Sequence, residues 1–220
     1  MFPDREHHIT SKRSSQRTDV SALSLAERYA ITNGHRVVLY AGTFEPYQGL
    51  DMLVDSSPEV VRSCRDIRFL CLGGNNNQIA TIKQLVHQRG VAEHFIFPGT
   101  LPPENIEQHF RIASILVSPR ISGTNTPLKI YSYLRAGVPI LATNILSHTQ
   151  VLTGEVALLV EPQPKSLAGG ILRLLDDSQL SQRLVHNALR LAQESYSSEA
   201  YHEKVAEVFS YLAAKQNRSR

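Results

Sequence analysis

The sequence predicts an α/β domain built on a doubly wound parallel sheet with helices on both faces. Three observations predict it. Six short, nearly continuous apolar runs, each bounded by Gly, Pro, Asn or Thr, read as strands buried on both faces. Helical stretches separate these runs, and strand–helix–strand alternation implies right-handed crossovers within one parallel sheet. After the sixth run only helices follow, which adds C-terminal helices to the alternating core.

The elements follow in order. Residues 1–20 are polar and without periodicity, the pattern of a flexible arm. SALSLAERYAIT (Ser21–Thr32) reads as a short amphipathic helix stopped by Asn33-Gly34. VVLYA (Val37–Ala41) is the first strand, and LDMLVDSSPEVVRSC is the helix after Gly49. IRFLCLG (Ile67–Gly73) is the second strand and QIATIKQLVHQRG its helix; HFIFPG (His94–Gly99) is the third and PENIEQHFRIA its helix. SILVSP (Ser114–Pro119) is the fourth strand. In TPLKIYSYLRAG, Thr126 suits the N-cap, Pro127 the first helical position and Gly137 the residue past the end. That spacing predicts a helix over 127–136, with Leu128, Tyr131 and Leu134 toward the core. VPILAT (Val138–Thr143) is the fifth strand, NILSHTQVL a polar turn into a short helix, and ALLVEP (Ala157–Pro162) the sixth strand. KSLAGGILRLLDD, SQLSQRLVHNALRLAQESY and SSEAYHEKVAEVFSYLAAK are helical. One domain thus spans 21–215, followed by a frayed tail, 216–220.

Composition narrows the function. With 220 residues, 42% hydrophobic and 20% charged, the chain can bury one sizeable core. A net charge of +3 is too weak by itself to argue for nucleic acid. No apolar run reaches the roughly 18–20 residues of a membrane helix. The first residues lack the hydrophobic centre of a signal peptide. Cys64 and Cys71 therefore read as reduced thiols of a cytosolic protein, with Cys71 in the core. The nine histidines show no metal-ligand spacing, so no metal site is expected. His148 can reach the cleft, although a lone histidine is more often satisfied by local hydrogen bonds.

In a doubly wound sheet, ligands sit beyond the carboxyl ends of the strands, so the loops there carry the function. Gly42 permits a tight turn and close approach of a ligand, and Gly49 opens a helix; a plain turn is the alternative. Gly73-Gly74 and the three asparagines of GGNNNQ expose backbone and amides. Gly99 leaves backbone groups open. The strongest signal is SPRISGTNTPLKIYSYLRAG. A helix starting at Pro127 would aim free amides at Gly123-Thr124-Asn125-Thr126, and Lys129 would sit in its first turn, against the helix dipole. That placement costs about 0.3–1 kcal/mol unless an anion lies nearby, which points to bound phosphate. A solvated surface lysine is the alternative. Arg120, just past a strand end, is a second candidate for anion contact or for a surface salt bridge.

Together, VVLYAGTFEPYQGLDMLVDS, FLCLGG, FIFPGTLPPENI, ILVSPRISGTNTPLKIYSYLRAGVPILATN and ALLVEPQP resemble the C-terminal, donor-binding domain of GT-B glycosyltransferases, in the family-four group of retaining enzymes. The resemblance runs from about Val37 to Ala213. It implies a Rossmann-like half that binds a nucleoside diphosphate sugar such as a UDP- or GDP-sugar. Gly42 and Thr43 would lie near the diphosphate, Gly73 and Gly74 would flank the nucleotide, and Gly99 would meet the base. Gly123, Thr124, Asn125, Thr126, Pro127 and Leu128 would cradle sugar and diphosphate, with Lys129 as the catalytic cation. No cofactor and no metal are implied.

The chain departs from the pattern in three places. Many relatives carry Arg after the first glycine and Lys before the second, where this chain has Thr43 and Gln48. Many have two glutamates eight apart, where it has Thr124 and Ser132; the second usually grips the ribose, and Ser132 would bond it more weakly. The opening MFPD resembles the stretch that links the two domains in relatives, so the resemblance implies either a truncated reading frame or one subunit that pairs with a separate acceptor-binding half. The resemblance therefore implies the donor half of a retaining hexosyltransferase in polysaccharide or glycolipid synthesis. It would be cytoplasmic, with at most peripheral contact at the inner membrane face. A non-catalytic nucleotide-sugar-binding subunit is the alternative.

Overall fold

The computed structural model describes residues 22–32, 34–200, 202, 205–207 and 209. The expected arm over 1–20 and tail over 216–220 lie outside these, as does most of the last expected helix. The elements are α1 (Ala22–Arg28), β1 (Arg36–Ala41), α2 (Leu50–Ser63), β2 (Ile67–Leu72), α3 (Asn76–Gln88), β3 (Phe95–Gly99) and α4 (Pro103–Ile106). They continue as β4 (Ile115–Ser118), α5 (Lys129–Leu134), β5 (Ile140–Thr143), α6 (Leu146–Thr149), β6 (Leu158–Val160), α7 (Pro164–Asp176) and α8 (Ser178–Tyr196). A 3₁₀ segment, Glu107–Ile112, extends α4.

The six strands form one parallel sheet in the order β3-β2-β1-β4-β5-β6. This is the expected doubly wound architecture. The order reverses direction between β1 and β4, so the loops after these two strands part and leave a crevice between them.

The strand runs are apolar throughout because both faces of the sheet are covered. Val38 and Tyr40 face Leu53, Val54, Ile82 and Ile171, under α2, α3 and α7. Val37, Leu39 and Ala41 face Ile130, Tyr133, Leu134 and Ala188, under α5 and α8. Each large side chain so buried contributes about 1.5–3 kcal/mol. Cys71 is buried in the first of these layers, and both cysteines are free thiols. The α8 helix packs on the sheet's own layer through Ala188 and Ala192.

Several boundaries differ from the sequence reading. The first helix ends at Arg28, and Ala30 takes φ 52, so the chain turns before the Asn-Gly pair. The third starts at Asn76, because Asn75 and Gln78 form a reciprocal capping box with both bonds at 3.0 Å. Of the three asparagines of GGNNNQ, Asn75 thus caps the helix and Asn76 and Asn77 begin it. The largest difference is α5, which spans Lys129–Leu134 and not 127–136. Thr126 is not its N-cap: its hydroxyl donates to Gln150 Oε1 at 2.9 Å. Leu128 does not face the core and is 84% exposed. Tyr131 is half-buried against the Tyr196 ring, 5.0 Å away, and Leu134 is fully buried as expected.

Candidate functional site

The crevice is built first from backbone. Gly73 takes φ +121, and a Cβ there would lie 1.9 Å from the Gly42 carbonyl oxygen. Only glycine lets the loops after β1 and β2 touch in this way. Gly49 takes φ +70, and its Cβ would fall 2.0 Å from the Pro119 carbonyl oxygen. The Ile121 amide donates to Tyr47 O at 3.0 Å, which stitches the β1 loop to the β4 loop. Gly99 accepts the Gly73 amide at 2.8 Å and so holds the third loop alongside. Gly74 packs against the Phe44 ring.

Two tyrosines support this floor from below. The Tyr40 hydroxyl donates to Thr43 O, and the Ala41 amide donates to the Tyr133 phenol oxygen at 3.1 Å. Burial raises the pKa of both phenols, so both stay neutral. The Thr43 side chain is exposed, so that residue serves the loop through its carbonyl.

The cations come from the other side of the crevice. Lys129 Nζ lies 4.4 Å from the centroid of the Tyr40 ring and donates to Gln48 Oε1 at 3.3 Å. It is also 3.1 Å from where a Gly42 Cβ would stand. Burial, then the Arg120 guanidinium, lowers its pKa to about 7. Arg120 lies 5.1 Å over the Tyr47 ring. Among the described residues neither cation forms an ion pair. The dipole argument for Lys129 weakens, because α5 has only six residues. Close packing against aromatic and glycine surface with no counter-charge replaces it.

Arg120 closes its own loop. Its Nε donates to Ser122 O at 2.7 Å and its Nη1 to Asn125 O at 2.9 Å. A guanidinium has five N–H donors, so these bonds leave others for an anion. Gly123, at φ +128, makes room for the guanidinium: a Cβ there would lie 2.2 Å from Nη2. Gln150 Nε2 donates to Thr124 O at 2.9 Å and steadies the loop's far side. Thr124, Asn125 and Leu128 are exposed along this loop, and Pro127 O accepts the Ile130 amide at 3.0 Å to start α5.

His148 does not reach the cleft. It is fully buried, its Nδ1 donating to Thr143 O at 2.9 Å and its Nε2 facing Ser118 Oγ at 2.9 Å. Burial lowers its pKa to about 4. Thr143 Oγ1 in turn donates to Arg120 O, so this neutral network ties the ends of β4 and β5 to the Arg120 backbone.

Ser132 lies one turn after Lys129, and its hydroxyl donates to Glu107 Oε1 at 2.8 Å. The structure thus joins Gly42, Gly73, Gly99, Arg120, Gly123 and Lys129 around one crevice, whereas Ser132 meets Glu107. Tyr40, Tyr47, Glu107 and Gln150 went unmarked in the sequence reading, and Gln48 was marked only as a departure from the family pattern. A tyrosine within the apolar run VVLYA, two residues before Gly42, was the available signal for Tyr40. Nothing local signals the pairing of Glu107 with Ser132, 25 positions away. Among the described residues no group of three His, Cys, Asp or Glu could hold a metal ion. Among them, too, no helix is long and apolar enough to cross a membrane.

The family model for glycosyl transferases group 1 matches residues 24–191. The chain is 23% identical over 212 residues to the alpha-D-kanosaminyltransferase of Streptomyces kanamyceticus, covering 94% of this chain and 54% of that protein. It is 28% identical over 154 residues to the phosphatidyl-myo-inositol mannosyltransferase of Mycobacterium leprae (strain TN), covering 68% and 40%. The chain spans about half the length of the curated relatives it matches. Its fold matches Anabaena Alr3699/HepE, solved in complex with UDP, with a TM-score of 0.77 and 17% identity, covering 90% of this chain and 54% of that one. It also matches the solved C-terminal domain of the group 1 glycosyl transferase LpcC from Francisella tularensis, with a TM-score of 0.68 and 18% identity, covering 78% and 91%. The fold is that of these neighbours, and the chain belongs to the glycosyl transferases group 1 family.

Proposed function

We propose that this chain is the donor-binding half of a retaining glycosyltransferase and that its crevice holds a nucleoside diphosphate sugar. One observation carries the reading: Lys129 and Arg120 converge on a glycine floor, and among the described residues neither forms an ion pair with a carboxylate. A diphosphate supplies the missing charge. The neighbour Alr3699/HepE, solved with UDP and with UDP-glucose, supports a nucleotide in a fold of this kind.

In this reading the Gly42, Gly73 and Gly74 backbone lets the diphosphate approach closely, with Thr43 at the rim. Gly99 borders the base. The loop Gly123, Thr124, Asn125, Thr126, Pro127 and Leu128 cradles the sugar. When the glycosidic bond to the donor breaks, charge grows on the leaving diphosphate. Lys129 and Arg120 stabilise that charge electrostatically, without a protein nucleophile. Bound phosphate raises the Lys129 pKa again, so the amine is protonated when it acts. The reaction needs no cofactor or metal of this chain's own. The acceptor is held by a separate half, and the work is done in the cytoplasm, at most at the inner membrane face.

The second reading, a non-catalytic nucleotide-sugar-binding subunit, is favoured by the neutral side chains at Thr43, Gln48 and Thr124. Calorimetric titration with UDP, GDP, ADP and their sugar conjugates tests the site. Saturable binding that Lys129→Ala weakens is the expected result, and absence of binding by a folded sample overturns the reading. Sugar transfer on mixing with an acceptor-binding half separates the enzyme from the binder.

A further inference from the structure

A cavity of about 430 Å³ opens between α5 and the segment formed by α4 and the 3₁₀ turn after it. Small-ligand pockets are typically about 300–1,000 Å³. Glu104, Glu107, Arg111, Ser132 and Arg135 line it. Ser132 and Lys129 are three residues apart, so they share one side of the helix and stand about 4.5 Å apart along its axis. That is about the step from a nucleotide's phosphate to its ribose. The cavity thus lies one turn along α5 from the proposed diphosphate.

Glu107 is held in that cavity by the Ser132 hydroxyl, which donates to its Oε1 at 2.8 Å. Among the described residues it has no other hydrogen-bond or ion-pair partner. An ionised carboxylate accepts about four hydrogen bonds, so most of its capacity stays open. Its two oxygens lie side by side, the arrangement that accepts both hydrogens of a vicinal diol. Ser132, already donating to Glu107, acts here as the residue that positions the carboxylate. Arg111 and Arg135 line the same cavity and offer no acceptor for a hydroxyl.

We propose that Glu107 accepts hydrogen bonds from the two ribose hydroxyls of the bound nucleotide and so selects ribonucleotide over deoxyribonucleotide donors. The inference rests on the nucleotide-sugar reading above. It places the carboxylate on the segment after β3 instead of on α5.

The test is calorimetry with UDP, GDP and ADP, each beside its 2′,3′-dideoxy form, on the wild-type chain, Glu107→Gln, Ser132→Ala and Lys129→Ala. Charge-assisted bonds of this kind contribute about 1.5–3 kcal/mol, so the ribonucleotide should bind at least about tenfold tighter than its dideoxy form. Glu107→Gln should remove that preference and leave the dideoxy affinity unchanged. Ser132→Ala should reduce the preference two- to threefold. Equal weakening of both forms by Glu107→Gln, or no weakening, overturns the inference. If Lys129→Ala still weakens ribonucleotide binding in that case, the nucleotide-sugar reading stands without it. A folded wild-type chain that binds none of the three overturns both.

Discussion

The loop after β1, residues 42–49, offers backbone to the crevice, whereas the loop after β4 and the first turn of α5 offer cations. The first loop is fixed from beneath by Tyr40 and from the side by Pro119 and Gly73. It carries no basic side chain. The second loop is closed by Arg120 on its own carbonyls and ends in Lys129. Lys129 Nζ and Gln48 Oε1 are 3.3 Å apart, and Arg120 stacks on Tyr47. The cations of one loop thus stand where side chains of the other would put them. A binding site is defined by where charge sits in space, and two facing loops can exchange that charge without changing the field between them.

The largest expected effect comes from breaking the floor. Gly49→Ala places a Cβ against Pro119 O and an alanine at φ +70. Left-handed strain and overpacking together should cost about 3 kcal/mol, read as a large drop in melting temperature with loss of nucleotide binding. A melt within about 2 °C of wild type would show that the two loops part freely.

Removing a cation should come next. Lys129→Ala should weaken nucleotide binding about 30-fold, roughly 2 kcal/mol, while the melt stays near wild type. The sharper version moves the charge across the crevice: Gln48→Lys in a Lys129→Gln background should recover most of the lost affinity. No recovery would mean that the source of the charge matters and not only its position.

Stability and nucleotide affinity should respond to pH in opposite directions. Lys129 titrates near 7 in the free protein, below the 10.4 of an unfolded lysine. Between these values the unfolded chain binds more protons, so this group's contribution to stability rises with pH. Nucleotide binding needs the ammonium, so affinity should fall above pH 7, by at most about tenfold per unit. Proton uptake, seen as a buffer-dependent binding enthalpy at pH 8, checks this. His148 titrates near 4, below the 6.5 of an unfolded histidine. Its contribution to stability is full above about 6.5 and is lost progressively as pH falls toward 4. Melts between pH 7 and 4 should show this loss in the wild type, and His148→Gln should flatten the slope.

The smallest effect should be at Thr43. Its side chain is exposed and its carbonyl does the bonding, so Thr43→Ala should change affinity less than about twofold by calorimetry. A tenfold loss would give the first loop a side-chain role and erase the contrast.

The sheet was legible from the sequence because its signals are local. VVLYA and IRFLCL are buried on both faces, so they read as unbroken apolar runs without reference to their neighbours. Glycine positions were legible for the same reason: the turns after β1, β2 and β3 need a residue without a side chain, whatever lies opposite. Lys129 also stood out, although the six-residue α5 makes the dipole a lesser part of the reason. The helix start was misplaced because Thr126 has two possible partners. The local pattern offers it an N-cap, and the fold offers it Gln150.

The sequence alone determined the alternation of strands and helices, the single parallel sheet and the crevice loops, since each follows from periodicity and punctuation within a few residues. Only the tertiary structure decided what those loops hold out to one another. Tyr40 reaches Lys129 across 89 positions of chain, Gln48 across 81, and Glu107 meets Ser132 across 25. These meetings depend on the sheet order that sets β1 beside β4, and that order results from packing the whole core at once.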